Sequence, residues 1–162
     1  MFTIRNAQLT DAAAIAAIYN HAIQFTTATF DTEIKSIQNR TEWLKQHGPN
    51  YPVLVALSDD NVIAFASLSR WSDRPAYDQT AELSIYIQQN FQNIGLGNIL
   101  MPAIIKEGRK ACLHTIISRI TQGNEISIHL HQKYGFTHVG VLKEAGKKFE
   151  QWLDVTIMQL MY

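Results

Sequence analysis

The chain has 162 residues, 46% hydrophobic and 17% charged, the composition of a globular protein long enough to bury a core. Fourteen basic residues balance fourteen acidic ones, so no global field draws it to nucleic acid or to an anionic lipid surface. Met1–Arg5 lacks the basic-then-apolar order of a secretory signal, and the longest apolar run, Ala12 to Ile18, is far short of a bilayer span. The one cysteine, Cys112, has no internal disulfide partner and reads as a small core residue late in a helix. Together these features predict a cytoplasmic protein, one domain over 1–162, with neither nucleic acid nor membrane as a partner.

In chain order, Phe2 to Asn6 reads as a short strand, and Thr10-Asp11 as the cap of a helix whose apolar positions are Ile15, Ile18, Tyr19, Ala22 and Ile23. Gln24 to Asp31 has no clear period. Ser36 to His47 is a second helix, closed by Gly48-Pro49. Strands follow at Pro52 to Ser58, Val62 to Arg70 and Thr80 to Ile87, the first two joined by a hairpin-like turn at Asp59-Asp60-Asn61. A helix over Asn98 to Cys112 carries Pro102, which removes a bond to the Asn98 carbonyl and predicts a kink or a loosened turn. A β-branched strand at Thr115 to Thr121, a helix at Asn124 to Tyr134 and strands at Thr137 to Leu142 and Gln151 to Leu160 complete the order βααβββαβαββ. That order predicts an α/β (α+β) architecture, a mixed sheet covered by helices.

The segment Gln92-Asn93-Ile94-Gly95-Leu96-Gly97 joins the third of those central strands to the Pro102 helix. Glycines there permit a tight turn and close approach of a ligand, and the first amides of a helix are free donors aligned with its dipole. The arrangement suits a pyrophosphate. It is neither a Rossmann fingerprint, because Leu100 stands where the third glycine belongs, nor a Walker loop, because Asn98-Ile99 follows Gly97.

About thirty residues later comes Asn124-Glu125-Ile126-Ser127-Ile128-His129-Leu130-His131-Gln132-Lys133-Tyr134-Gly135-Phe136. Asn124 and Gly135 read first as helix caps. Taken together, Gln-x-x-Gly-x-Gly and Asn-x-x-Ser-x-x-Leu-x-x-x-x-Gly-Phe resemble motifs A and B of the GNAT acetyltransferases, and the resemblance spans essentially the whole chain. Thr80 to Ile87, Leu130-His131, Lys148 to Val155, Ile18-Tyr19-Asn20 and Thr26-Thr27-Ala28 are similar to the phosphinothricin and methionine sulfone/sulfoximine N-acetyltransferases.

The resemblance implies the GNAT fold, acetyl-CoA as cofactor with coenzyme A as product, a small amino-acid-like amine as substrate, and a homodimer. It implies that Ile85, Tyr86 and Ile87 offer backbone groups to the pantetheine arm. Gln92, Asn93, Ile94, Gly95, Leu96, Gly97 and Asn98 would hold the pyrophosphate, and Asn124 would contact the cofactor near its reactive end. An amine must lose its proton before attacking a thioester, and a strand carboxylate can take it directly or through water. Glu82 reads from its strand alone as a solvated side chain; the resemblance makes it the general base. At His131 many family members carry a proton-donating tyrosine, and both proton donation and substrate contact are open to this histidine. His129 and His131 point apart on a helix and have no partner at zinc-site spacing, so no metal is expected. The substrate pocket implied by the resemblance involves Thr27, Phe30, Ser72, Asp73, Arg74, Tyr77, Glu82, Leu83 and Ser84, with Trp152 at its border. Arg74 is the candidate for a substrate carboxylate. Ser72-Asp73 departs from relatives that carry a basic residue directly after the tryptophan. Two other readings stay open: a peptide N-acetyltransferase and a non-catalytic acyl-CoA sensor.

Overall fold

A computed structural model describes residues Met1–Tyr162. The elements are β1 (Thr3–Asn6), α1 (Ala12–Phe25), α2 (Ile37–His47), β2 (Val53–Ser58), β3 (Asn61–Arg70), β4 (Thr80–Ile87), α3 (Gly97–Lys110), β5 (Thr115–Thr121), α4 (Glu125–Lys133), β6 (Thr137–Lys148) and β7 (Gln151–Met161). They form one seven-stranded mixed sheet in the order β1-β2-β3-β4-β5-β7-β6, flanked by the four helices. Only β4 and β5 run parallel. No helix is long and apolar enough to cross a membrane.

The alternation of strand side chains divides the core. Leu83 on β4 and Ile116 and Ile120 on β5 pack with Leu100, Met101 and Ile104 of α3 on one face. Phe65 on β3 and Val55 on β2 meet Ile15 and Ile18 of α1 on the other. Glu82, Ser84 and Tyr86, the even-numbered side chains of β4, therefore project on the α1 side, and the odd-numbered ones face α3.

Local chemistry explains most element ends. The Ser36 hydroxyl accepts from the Asn39 amide at 3.0 Å and starts α2, and the Asn124 side chain accepts from the Ser127 amide at 3.2 Å and starts α4. Asp59 and Asp60 both take positive φ, as the two-residue hairpin turn between β2 and β3 requires.

Three expectations need correction. Asp11 does not cap α1: its carboxylate takes Arg5 at 2.7 and 2.8 Å and the Gln8 amide at 2.7 Å, which fixes a short 3₁₀ turn over Leu9–Asp11 instead. Cys112 is exposed and lies past the end of α3 with φ 59°, so it is not a core residue. β6 extends to Lys148 rather than stopping at Leu142, because register shifts after His138 and Leu142 carry it past residues that break the alternation. Pro102 removes the amide bond to the Asn98 carbonyl, as expected, while α3 runs through it as one helix. The Asn98 carbonyl that Pro102 leaves without an amide accepts from the Tyr134 hydroxyl at 2.9 Å, so the residue just past α4 supplies the bond that α3 lacks.

Candidate active site

Strands β4 and β5 pair only over Thr80↔Thr115, Ala81↔Ile116 and Glu82↔Ile117 and then part. The Gln88 amide donates to the Ile63 carbonyl on β3, so by alternation the main-chain groups of Ile85 and Ile87 face away from β3, into the gap. A cavity of about 1170 Å³ occupies this gap and continues under α1.

One end of the cavity is main chain. The amides of Asn93, Ile94, Gly95, Leu96 and Gly97 donate to no group within the protein; the first bonds at the start of α3 come from Asn98, Ile99 and Leu100. Asn93 and Gly95 hold positive φ, 61° and 86°, which curls these donors into a concave run before the positive end of α3. The Gln92 amide group donates to the Ile87 carbonyl at 3.0 Å and ties the loop back to β4. Asn98 is committed elsewhere: its side-chain oxygen accepts from Lys133 at 2.6 Å. The Ser118 hydroxyl, on the cavity wall in β5, is the one buried side-chain polar atom without a partner. Free amides around a glycine turn, a strand edge without a neighbour and an orphaned hydroxyl match the pyrophosphate, the amide-bearing arm and the polar reactive end of a coenzyme A thioester.

The other end is side chain. Glu82 stands at the last paired position of β4 before the strands part. Its two oxygens accept from Arg119 Nε and Nη2, each at 2.6 Å, and the guanidinium rests over the Trp71 ring at 5.6 Å. This ion pair holds the Arg119 pKa above its ordinary value. Ser67, Ser69 and Ser84 extend a polar floor beside Glu82. Beyond it Tyr19 donates to Asp31 at 2.5 Å and shares a hydrogen bond with Thr29 at 3.0 Å. Arg40 lies stacked on Tyr19 and Trp43 with its guanidinium bonded to Asn39. The segment between α1 and α2 covers this end. The Thr27 carbonyl accepts from Thr121 at 2.8 Å and the Thr29 carbonyl from the buried Lys148 ammonium at 2.7 Å. The Phe30 ring fills the space where a side chain on Gly146 would sit.

His131 is buried on α4 at the cavity wall, with its ring edge against Phe136. Nδ1 lies 2.7 Å from the Ser127 carbonyl. A carbonyl only accepts, so Nδ1 carries the hydrogen and Nε2 of the neutral ring presents a lone pair. Burial pushes this imidazole below its ordinary pKa, which favours that neutral form.

The cavity thus brings together Glu82, His131, Thr27, Phe30, Leu83, Ser84, Ile85, Tyr86, Ile87, Gln92, Asn93, Gly97 and Asn124 of the sequence-derived set. Ile94, Gly95 and Leu96 lie in the loop, off the wall but with free amides, whereas the amide of Asn98 bonds to Gly95 and its side chain to Lys133. Ser72, Asp73, Arg74 and Tyr77 lie outside the wall, on the connection from β3 to β4, as does the exposed Trp152 on β7. Sequence reasoning missed Arg119, Arg40, Tyr19 and Asp31. Two of them carried a signal: Arg119 as the sole charged residue in an otherwise uncharged strand, and Tyr19 within the Ile18-Tyr19-Asn20 run of the family resemblance.

The description "Acetyltransferase (GNAT) domain" matches residues 4–157. The chain belongs to the GNAT acetyltransferases. It is similar to the L-amino acid N-acyltransferase MnaT of Escherichia coli (strain K12), 37% identical over 98% of this chain and 92% of that protein. The same identity and a similar coverage, 98% and 93%, relate it to the L-methionine sulfoximine/L-methionine sulfone acetyltransferase of Salmonella typhimurium. The phosphinothricin N-acetyltransferase of Streptomyces coelicolor is 31% identical over 90% of this chain and 87% of its own length. Among solved structures, yncA of Salmonella typhimurium, a putative acetyltransferase with its cofactor acetyl-CoA, superposes with a TM-score of 0.95 at 37% identity, covering 99% of this chain and 93% of that one. The chain is accordingly an acetyl-CoA-dependent N-acetyltransferase, and its main-chain loop and parted strands are the elements suited to hold that cofactor.

Proposed function

We propose that residues 1–162 form one catalytic unit that acetylates the amino group of a small amino-acid-like substrate of the phosphinothricin, methionine sulfone or methionine sulfoximine type. Bound acetyl-CoA supplies a thioester carbonyl open to attack by an amine. Glu82 takes the proton from the substrate ammonium, directly or through one water, and the freed nitrogen attacks the thioester carbonyl without a covalent acyl-enzyme. The C–S bond then breaks, and coenzyme A leaves as a thiolate that takes up the proton shed by the new amide nitrogen, directly or through water. Each Glu82 oxygen, though held by Arg119, keeps a further lone pair for that proton. His131 positions the substrate by accepting a hydrogen bond at Nε2, because burial opposes the protonated ring that a general acid would need. The Thr27–Phe30 segment, anchored to β5 and β6 along the cavity wall, narrows the room beside the floor and supports a small acceptor over a peptide. The observation that carries the reading is the place of Glu82, the carboxylate at the point where β4 leaves β5.

Thiol release from acetyl-CoA against methionine sulfone, methionine sulfoximine, phosphinothricin, ordinary amino acids, polyamines and peptides tests the substrate class. On the best acceptor, Glu82→Gln should lower kcat by about 10²-fold or more while leaving the dissociation constant of acetyl-CoA unchanged. Full activity of that variant would remove Glu82 as the base, and selective use of peptides would remove the small-acceptor reading.

The exposed apolar side chains of Val139 and Val141 on β6 and Trp152 on β7 support a homodimer formed across this edge of the sheet. Sedimentation should give twice the chain mass for the parent and the chain mass for Val141→Lys; a monomeric parent would exclude the dimer. A cytoplasmic location fits the lone, exposed thiol of Cys112.

A further inference from the structure

We infer that Arg119 is the receptor for the α-carboxylate of the acceptor, so that the Arg119–Glu82 pair recognises a zwitterionic α-amino acid as a unit. The inference rests on the small-acceptor reading above and adds the group that selects among amines.

Arg119 meets Glu82 through Nε and Nη2 only. Nη1 donates to nothing in the protein, so one edge of the guanidinium stays free while the other holds the carboxylate. The side chain is 54% exposed and that of Glu82 is 20% exposed, which places the free edge toward the cavity mouth and the carboxylate further in. Stacking on Trp71 holds the guanidinium plane in place. An α-amino acid carries its ammonium and carboxylate on one carbon, so the two groups lie side by side. A planar cation beside a carboxylate is the complementary arrangement, and a carboxylate docking on the free edge keeps the bidentate geometry that guanidinium favours. The ammonium then falls against Glu82, where its proton is to leave.

The pair also explains discrimination. Glu82 is already neutralised, so a lone ammonium approaches a site whose nearest neighbour is a like charge. A zwitterion brings an anion for Arg119 along with the cation for Glu82. Arg74, the guanidinium favoured by sequence, lies on the exposed connection outside the cavity wall. Arg40 is on the wall but bonded to Asn39 and stacked on Tyr19, at the Tyr19–Asp31 end rather than beside Glu82.

The test pairs amino acids with their decarboxylated amines: L-methionine sulfone with 3-(methylsulfonyl)propan-1-amine, and L-phenylalanine with phenethylamine. The parent should prefer the amino acid of a pair. Arg119→Ala should raise the KM for the amino acid roughly 10- to 100-fold and lower that for the amine, or at least not raise it, because the like charge is gone, collapsing the preference. Arg119→Lys should restore part of it. An equal loss on both members of a pair would reduce Arg119 to a prop for Glu82 and overturn the inference, as would an unchanged preference. Failure of the underlying reading looks different: the parent then turns over no amino acid at all, which removes this inference with it. Acetyl-CoA titration of each variant, expected to match the parent, verifies the fold.

Discussion

The two ends of the cavity are built from different materials. At the end proposed for the cofactor, Asn93 to Gly97 offers backbone amides, and no residue from Gln92 to Asn98 has an ionisable side chain. At the end proposed for the acceptor, the wall is made of side chains gathered from α1, the segment after it, α2, β3, β4 and β5, with Glu82, Arg119, Asp31 and Arg40 all charged. The backbone end depends on one local conformation and suits a ligand that never changes. The side-chain end can be altered residue by residue without disturbing the first, which is how one cofactor can serve many acceptors on a shared fold.

That contrast can be broken from either side. The largest effect is expected from Gly95→Val. A β-branched residue is a steric outlier at φ 86°, so the loop must rearrange and its concave run of amides is lost. Acetyl-CoA affinity should fall by about 100-fold or more by calorimetry, consistent with the loss of several charge-assisted hydrogen bonds. Unchanged titration heats would contradict the cradle. A smaller effect, on the opposite end, is expected from Gly146→Val. The added side chain must push the Phe30 ring off its seat, so the acceptor KM should rise several-fold while acetyl-CoA binding stays as it was. A change in cofactor affinity instead would mean the two ends are not separable.

The smallest effect concerns pH. Burial holds the pKa values of His47 and His131 below their ordinary value. The unfolded chain therefore takes up these protons first, and stability is complete above about pH 6.5 and declines as the pH falls below it. Melting temperatures between pH 7 and 5 should show the decline, and His47→Gln should flatten it. The Arg5-paired Asp11, whose carboxyl is held below its ordinary pKa, acts only at lower pH, below about 3.8. An equal slope in the parent and the variant would exclude His47 as a source.

The same contrast explains what could be read from sequence. The glycine loop was legible because its requirement is local: positive φ, a tight turn and a helix start fall within a few residues. Element order was legible for the same reason, from period and punctuation. The length of β6 was not, because the turn into β7 uses Phe149 and Glu150 at positive φ where glycine or asparagine would have signalled it. Cys112 was misread because the helix pattern gave no sign that the chain turns at Ala111, one residue earlier. Pro102 looked disruptive because its compensation, Tyr134, lies just past the end of α4, 36 positions from Asn98. Arg119 joins Glu82 across 37 positions of sequence, a pairing that only the register of β4 and β5 creates.

The early parting of β4 and β5 has a mechanical consequence. Three residue pairs are all that stitch the four strands on one side of the sheet to the three on the other, and the stitching ends at Glu82. This seam is the place for the sheet to breathe, with the amides of Ile85 and Ile87 exchanging their hydrogens faster than those of the flanking strands. A ligand laid along it closes the seam as an extra strand would, so binding of the acetyl donor should slow that exchange and stiffen both halves into one body before the second substrate enters.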